Sequence, residues 1–213
     1  GAALYALRGQ IEANQTLYDA ALEDYTQSVT LEPTPERFFN RGLLYQVQNN
    51  VEAALSDFSD AIALDGTNPV FYIYRGQLNA SLLDLPAAGA DYLDFFNLMS
   101  PPRVIPALQS GQALVMPMER GVVYSVPFTA QAGQFASAQA IGETSTIDPL
   151  MVLIDPAGNP LIGDDDGGGN LSALIFDYPI PEDGEYTLLV GHSLSGFTGN
   201  VRVQLRITDE PNN

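Results

Sequence analysis

The chain has 213 residues, room for one large domain or two ordinary ones, and 46% of them are apolar, enough to fill real cores. Its formal charge of −18 sets 26 acidic residues against only eight basic ones, all arginine. With no lysine and no basic run there is no electrostatic footprint for phosphate backbones or anionic lipid, which argues against nucleic-acid binding.

Cysteine is absent, which removes disulfides, thiol catalysis and thiolate metal sites. No apolar run approaches the ~18 residues of a bilayer-spanning helix, so membrane insertion is not expected. The opening "GAALYALRGQ" lacks the basic start and cleavage region of a signal peptide. An export signal removed upstream is compatible with it.

The first hundred residues repeat. Gly9, Gly42 and Gly76 stand 33 and 34 apart; Ala21, Ala54 and Ala88 follow them by 12, and Tyr25, Phe58 and Tyr92 by 16. Each unit reads as two amphipathic helices joined by a short turn, with small residues where the helices cross and an aromatic beside them. Arg8, Arg41 and Arg75 each precede an aspartate, Asp24, Asp57 and Asp91, by 16, and are read as structural ion pairs. Thr16 and Asp84 are expected to cap second helices, and Pro86 falls in a first turn, where a missing N–H does no harm. The third copy departs from the others: Phe95 and Phe96 stand where the earlier copies have Ser28-Val29 and Ala61-Ile62. Terminal repeats normally turn a polar face outward, so something apolar is expected to cover this end.

These recurring residues make residues 3–99 resemble the tetratricopeptide repeat, in its variant with Arg-Gly in the first helix and Asp-aromatic in the second. The resemblance implies a protein or peptide partner held on a concave face made by first-helix positions, here Gln10, Asn14, Phe39, Asn40, Leu43, Tyr74 and Gln77. That set is apolar and amide-rich, which suits an extended, weakly charged or basic segment. The alternative is that the repeats act as a spacer whose groove a neighbouring domain fills.

"MSPPRVIPA" carries three prolines in nine residues and reads as a stiff linker. The pattern then changes to alternation in seven or eight short stretches, among them "GVVYSVPFTA", "DPLMVLID" and "GEYTLLVG", with Gly, Pro and Asp between them. That is the pattern of an antiparallel β-sandwich. The expected class is therefore α+β multidomain: an all-α hairpin array over residues 1–100, a linker at 101–108 and a jelly-roll-like sandwich over 109–213. The Asp-Pro-x-Gly-Asn turn from Asp155 to Asn159, the acidic run after it, and Gly184-x-Tyr186 opening a strand make residues 109–208 resemble the bacterial pre-peptidase C-terminal domain. This implies a non-catalytic, secreted, periplasmic or cell-surface protein of a bacterium. Within these 213 residues helical repeats and not a protease precede the module, so no link to proteolysis is expected.

"LIGDDDGGGN" sets three carboxylates beside three glycines. If Ile154 faces Leu161 in a hairpin, Asp148 falls opposite Gly167, near Asp164, Asp165 and Asp166. Four carboxylates on one edge, with glycine carbonyls beside them, offer the oxygens that Ca²⁺ takes; a solvated loop is the competing reading. The spacing is not that of an EF-hand.

The one histidine, His192, lies in "VGHSLSGF", which meets G-x-S-x only as far as Ser195 and sits between strands, so it is read as a loop histidine with no catalytic role. The chain is thus expected to be a non-enzymatic binding protein. The alternative function is a calcium-assisted carbohydrate or matrix-protein module carried by the sandwich, which exposed aromatics such as Tyr178 or Phe197 would favour.

Overall fold

A computed structural model of the chain describes residues 1–144, 146–193 and 198–211. Those residues form six helices, α1 (Ala2–Asn14), α2 (Tyr18–Leu31), α3 (Pro35–Val47), α4 (Val51–Leu64), α5 (Pro69–Ser81) and α6 (Leu85–Asn97). Nine strands follow: β1 (Arg103–Val104), β2 (Ala113–Met118), β3 (Tyr124–Ala130), β4 (Phe135–Gly142), β5 (Pro149–Ile154), β6 (Pro160–Asp164), β7 (Ser172–Pro179), β8 (Gly184–His192) and β9 (Gly199–Thr208). The architecture is the α+β one expected, a tetratricopeptide-like hairpin array followed by a β-sandwich. By compactness the chain divides into residues 1–78 and 79–213.

In the first unit the repeat residues do what their sizes dictate. A Cβ on Gly42 would lie 2.8 Å from the Phe58 ring, and one on Gly9 3.2 Å from the Ala21 carbonyl oxygen, so the glycines let paired helices touch. Leu44 packs on Ala21 and Tyr25, and Leu78 packs on Ala54 and Phe58. The turns before the second helices place Thr16, Asn49 and Leu83 at φ near +60°, one per repeat. Thr16 is therefore not a cap: its left-handed backbone makes the turn, and Leu17 is the residue that precedes α2. The capping side chain appears one position later, in Asn50, which accepts from Ala53 N, and in Asp84, which accepts from Ala87 N at 3.2 Å. Arg41 forks onto Asp57 at 2.7 and 2.8 Å, and Arg8 pairs with Asp24 in the same way. Arg75 donates to Ser59 Oγ, while Asp91, in the second unit, accepts from Asn79 Nδ2 at 3.0 Å.

In the second unit one sheet runs β1-β3-β8-β5-β6 and the other β2-β9-β4-β7. From β2 onward this is the jelly-roll order, successive strands changing sheet except at the β5–β6 hairpin. All pairings are antiparallel except β1 with β3. The proline-rich stretch runs along β3, with Arg103 N donating to Val123 O and Leu108 N to Pro127 O. Inward-facing Val126, Phe128, Met151, Leu153, Tyr186 and Val203 belong to the core between the sheets.

β5 is buried at every position because it is covered on both faces. Met151 and Leu153 enter the sandwich; Leu150 and Val152 point the other way, where α6 lies on β5 and β6. Phe95 and Phe96 are buried, and a Cβ on Gly191 would strike the Phe96 ring. The expected apolar cover over the third repeat's last helix is this sheet.

Candidate functional site

The first-helix positions sort into two groups. Gln10, Asn14 and Asn40 are exposed. Phe39, Leu43 and Tyr74 are half-buried against the Ala54–Phe58–Leu78 cluster, with Phe39 5.1 Å from the rings of both Phe71 and Tyr74. Gln77 is half-buried. The apolar members thus anchor adjacent repeats, while the amides of Gln10, Asn14 and Asn40 stay at the surface. On α1, Leu4, Leu7 and Ile11 are also exposed, lining a shallow groove of about 450 Å³ with Tyr5 and Arg8.

The acidic run is held by the β5–β6 hairpin. Its register is the one the spacing implies for Met151–Asp164, Val152–Gly163 and Leu153–Ile162, and it shifts at Ile154, which pairs with Pro160 instead of Leu161. Asp155 closes the turn by accepting from Asn159 N at 2.7 Å and Asn159 Nδ2 at 2.9 Å. At the far end Asp148, Asp165 and Asp166 each offer a carboxylate oxygen, all within 4.8 Å of one another. Asp164 faces the backbone instead. Its Oδ2 accepts from Gly167 N at 2.9 Å and Leu174 N at 2.7 Å, which folds the glycine loop back over it. Burial nevertheless pushes its carboxyl above the usual range. Asp166 is raised too, by burial and then by the charges of Asp148 and Asp164.

The run is enclosed in part: Asp164 and Asp165 are buried, while Asp166 and Gly167 are exposed. Asp165 is only 3% exposed. Asp148 Oδ2 accepts from Ser193 Oγ, while its Oδ1 is buried with no hydrogen-bond partner among the described residues. Helix α6 brings one more group: the Tyr92 ring packs on Gly163, immediately before the run, and its hydroxyl is buried with no hydrogen-bond partner among the described residues. Burial first, and then the charges of Asp165, Asp164 and Asp166, hold this phenol far above its ordinary pKa. The spacing of the acids marks three of the cluster's residues. Tyr92 and Ser193 come from segments that only the fold brings there.

His192 is the last residue of β8, opposite Pro149, and is buried; Ser195 and Phe197 lie outside the described residues. Tyr178 is half-buried against the sandwich core. On the outer face of the four-stranded sheet a groove of about 630 Å³ is lined by Gln112, Gln139, Gln204 and Arg206 among others. No helix is long and apolar enough to cross a membrane among the described residues.

The chain is similar over its helical part to solved tetratricopeptide-repeat structures. The first TPR of Spaghetti (RPAP3) bound to the HSP90 peptide SRMEEVD is 28% identical, covering 46% of this chain and 78% of that one, with a TM-score of 0.44. The second TPR of the same protein, bound to the same peptide, is 26% identical, covering 46% and 91%, with a TM-score of 0.43. The Sgt2 TPR domain from Aspergillus fumigatus is 20% identical, covering 46% and 65%, with a TM-score of 0.43. No family model matches the chain, and no curated protein matches it.

Proposed function

We propose that this chain is a non-catalytic binding protein of a bacterial cell envelope or exterior, whose helical repeats hold a protein or peptide. The observation that carries this is the exposed amide set Gln10, Asn14 and Asn40 on the first helices α1 and α3, beside an aromatic cluster that fixes the repeats. Amide side chains hydrogen-bond an extended backbone without demanding a charged partner, and an acidic protein attracts neutral or basic segments. The test is selection from a displayed library of unstructured peptides. Enriched sequences should be neutral or basic, and Asn14→Ala with Asn40→Ala should weaken them. Enrichment of acidic tails, or affinity indifferent to these substitutions, would overturn the reading.

A second reading is favoured by the cluster of Asp148, Asp165 and Asp166. In it the sandwich, similar in its turn and strand-opening residues to the pre-peptidase C-terminal domain, is a calcium-assisted module for carbohydrate or matrix protein. Three carboxylates supply hard oxygen ligands, and the glycine loop supplies carbonyls that approach closely for want of side chains. Calorimetry with Ca²⁺ decides it: heat and a higher melting temperature support the site, and the lack of both removes it.

A further inference from the structure

We propose that helix α6 is part of the cation site: a Ca²⁺-class ion held by Asp148, Asp165 and Asp166 sits against the buried hydroxyl of Tyr92 and ties α6 to the sandwich. This rests on the second reading above and assigns the site a consequence, the attachment of a helix.

The hydroxyl is the reason. Tyr92 is 0% exposed, and its oxygen has no hydrogen-bond partner among the described residues. Buried polar groups are almost always satisfied, because one left unpaired keeps its full desolvation penalty. Packing does not require the hydroxyl, because the same repeat position is occupied by Phe58, equally buried, in the second copy. The side chain therefore carries an extra polar atom into a dry place, and that place adjoins the acidic run, since the ring lies against Gly163, the residue before Asp164. A phenol keeps its proton near neutral pH, so it acts there as a donor, to a carboxylate oxygen or to an ion-bound water. The buried Oδ1 of Asp148 is a second atom in want of a partner. Asp164 Oδ2 is turned to two backbone N–H groups, and the acids whose oxygens come within 4.8 Å of one another are Asp148, Asp165 and Asp166, which are therefore the ion's ligands.

The helix is placed to respond. Gly89 and Gly163 bring α6 and β6 into backbone contact, and Tyr92 lies one turn further along α6. An ion that draws Asp165 and Asp166 toward Asp148 draws the strand end that Tyr92 rests on.

Terbium, a luminescent stand-in for Ca²⁺ excited through nearby tyrosine, tests this on the full chain, alongside hydrogen exchange. Wild-type protein should show tyrosine-sensitised emission that Ca²⁺ displaces, and Ca²⁺ should slow exchange across residues 85–97. Tyr92→Phe should lose most of the emission while still binding Ca²⁺ by calorimetry, and its far-ultraviolet circular dichroism should be unchanged. Asp165→Asn should lose emission, Ca²⁺ heat and the slowed exchange together. If Tyr92→Phe binds terbium with undiminished emission, or exchange in residues 85–97 ignores Ca²⁺, the inference falls and the cation reading stands. If wild-type protein binds neither ion, both fall.

Discussion

Gly89 of α6 and Gly163 of β6 lie backbone against backbone: a Cβ on Gly89 would sit 2.8 Å from Gly163 N, and one on Gly163 would sit 2.7 Å from Gly89 Cα. No side chain fits between them. The atoms a Cβ on Gly89 would meet are main chain, so they cannot rotate away. Gly89→Ala should therefore lift α6 from the sheet and lower stability by about 1–3 kcal/mol, the usual cost of overpacking, measured by urea denaturation. Gly158→Ala, where φ is +91° and no atom lies within 4 Å of the added Cβ, should cost less, because only backbone strain opposes it.

Phe96 covers Gly191 on the other side of the same contact. Replacing it with valine, the residue at this position of the first repeat, should leave a void and cost about 2–4 kcal/mol. Val29→Ala, a smaller truncation within the first unit, should cost less. Parallel denaturation curves separate the two.

The ion pairs of the first two repeats differ in value. Arg41 has a side chain 15% exposed and that of Arg8 is 62% exposed, although both face a buried aspartate. Removing Arg41 strands Asp57 away from water, so Arg41→Met should cost about 3 kcal/mol. Arg8→Met should cost far less, since water can take the place of the lost partner. Thermal melts in low and high salt should show the Arg8 contribution fading and the Arg41 contribution persisting.

Acid should act through particular carboxyls. Hydrogen bonds from Arg8 hold Asp24 below the usual carboxylate value of 3.8, and Asn159 does the same for Asp155. Groups depressed on folding supply stability that is complete above their ordinary value and is lost as pH falls through the folded one. Stability should therefore be insensitive to these two groups near neutrality and decline below about pH 4. Asp155→Asn should flatten part of that acid limb, which melting temperatures measured at stepped pH would show.

The helical part was open to reading because its constraints are local and recur. Gly9 and Gly42 meet Ala21, Tyr25 and Phe58 through the same geometry that their spacing implies. The place of α6 was half visible. Phe95 and Phe96 announced a cover, and a further sign stood beside them, since Gly89 occupies the position of Leu22 and Leu55 in the other copies. A glycine that replaces leucine at a periodic position marks a close approach by something outside the repeat. The acidic site was legible in its charges and not in its partners. Asp164 faces backbone N–H groups because the loop folds back at Gly167, and no spacing rule conveys that. Tyr92 comes from a helix more than fifty positions earlier, at a repeat position that holds Tyr25 and Phe58 in the other copies and so gave its hydroxyl no separate meaning.

The close fit at Gly89 also fixes where the helical series can change in length. A helix packed on α6 in the sheet's place would have to evict β5 and β6, so an added or deleted hairpin is tolerable only ahead of that seal. Leu4, Leu7 and Ile11 leave the α1 side without such a stop. Variation in repeat number among similar chains should accordingly accumulate before the hairpin that contains α6, whose own sequence stays bound to the strands it covers.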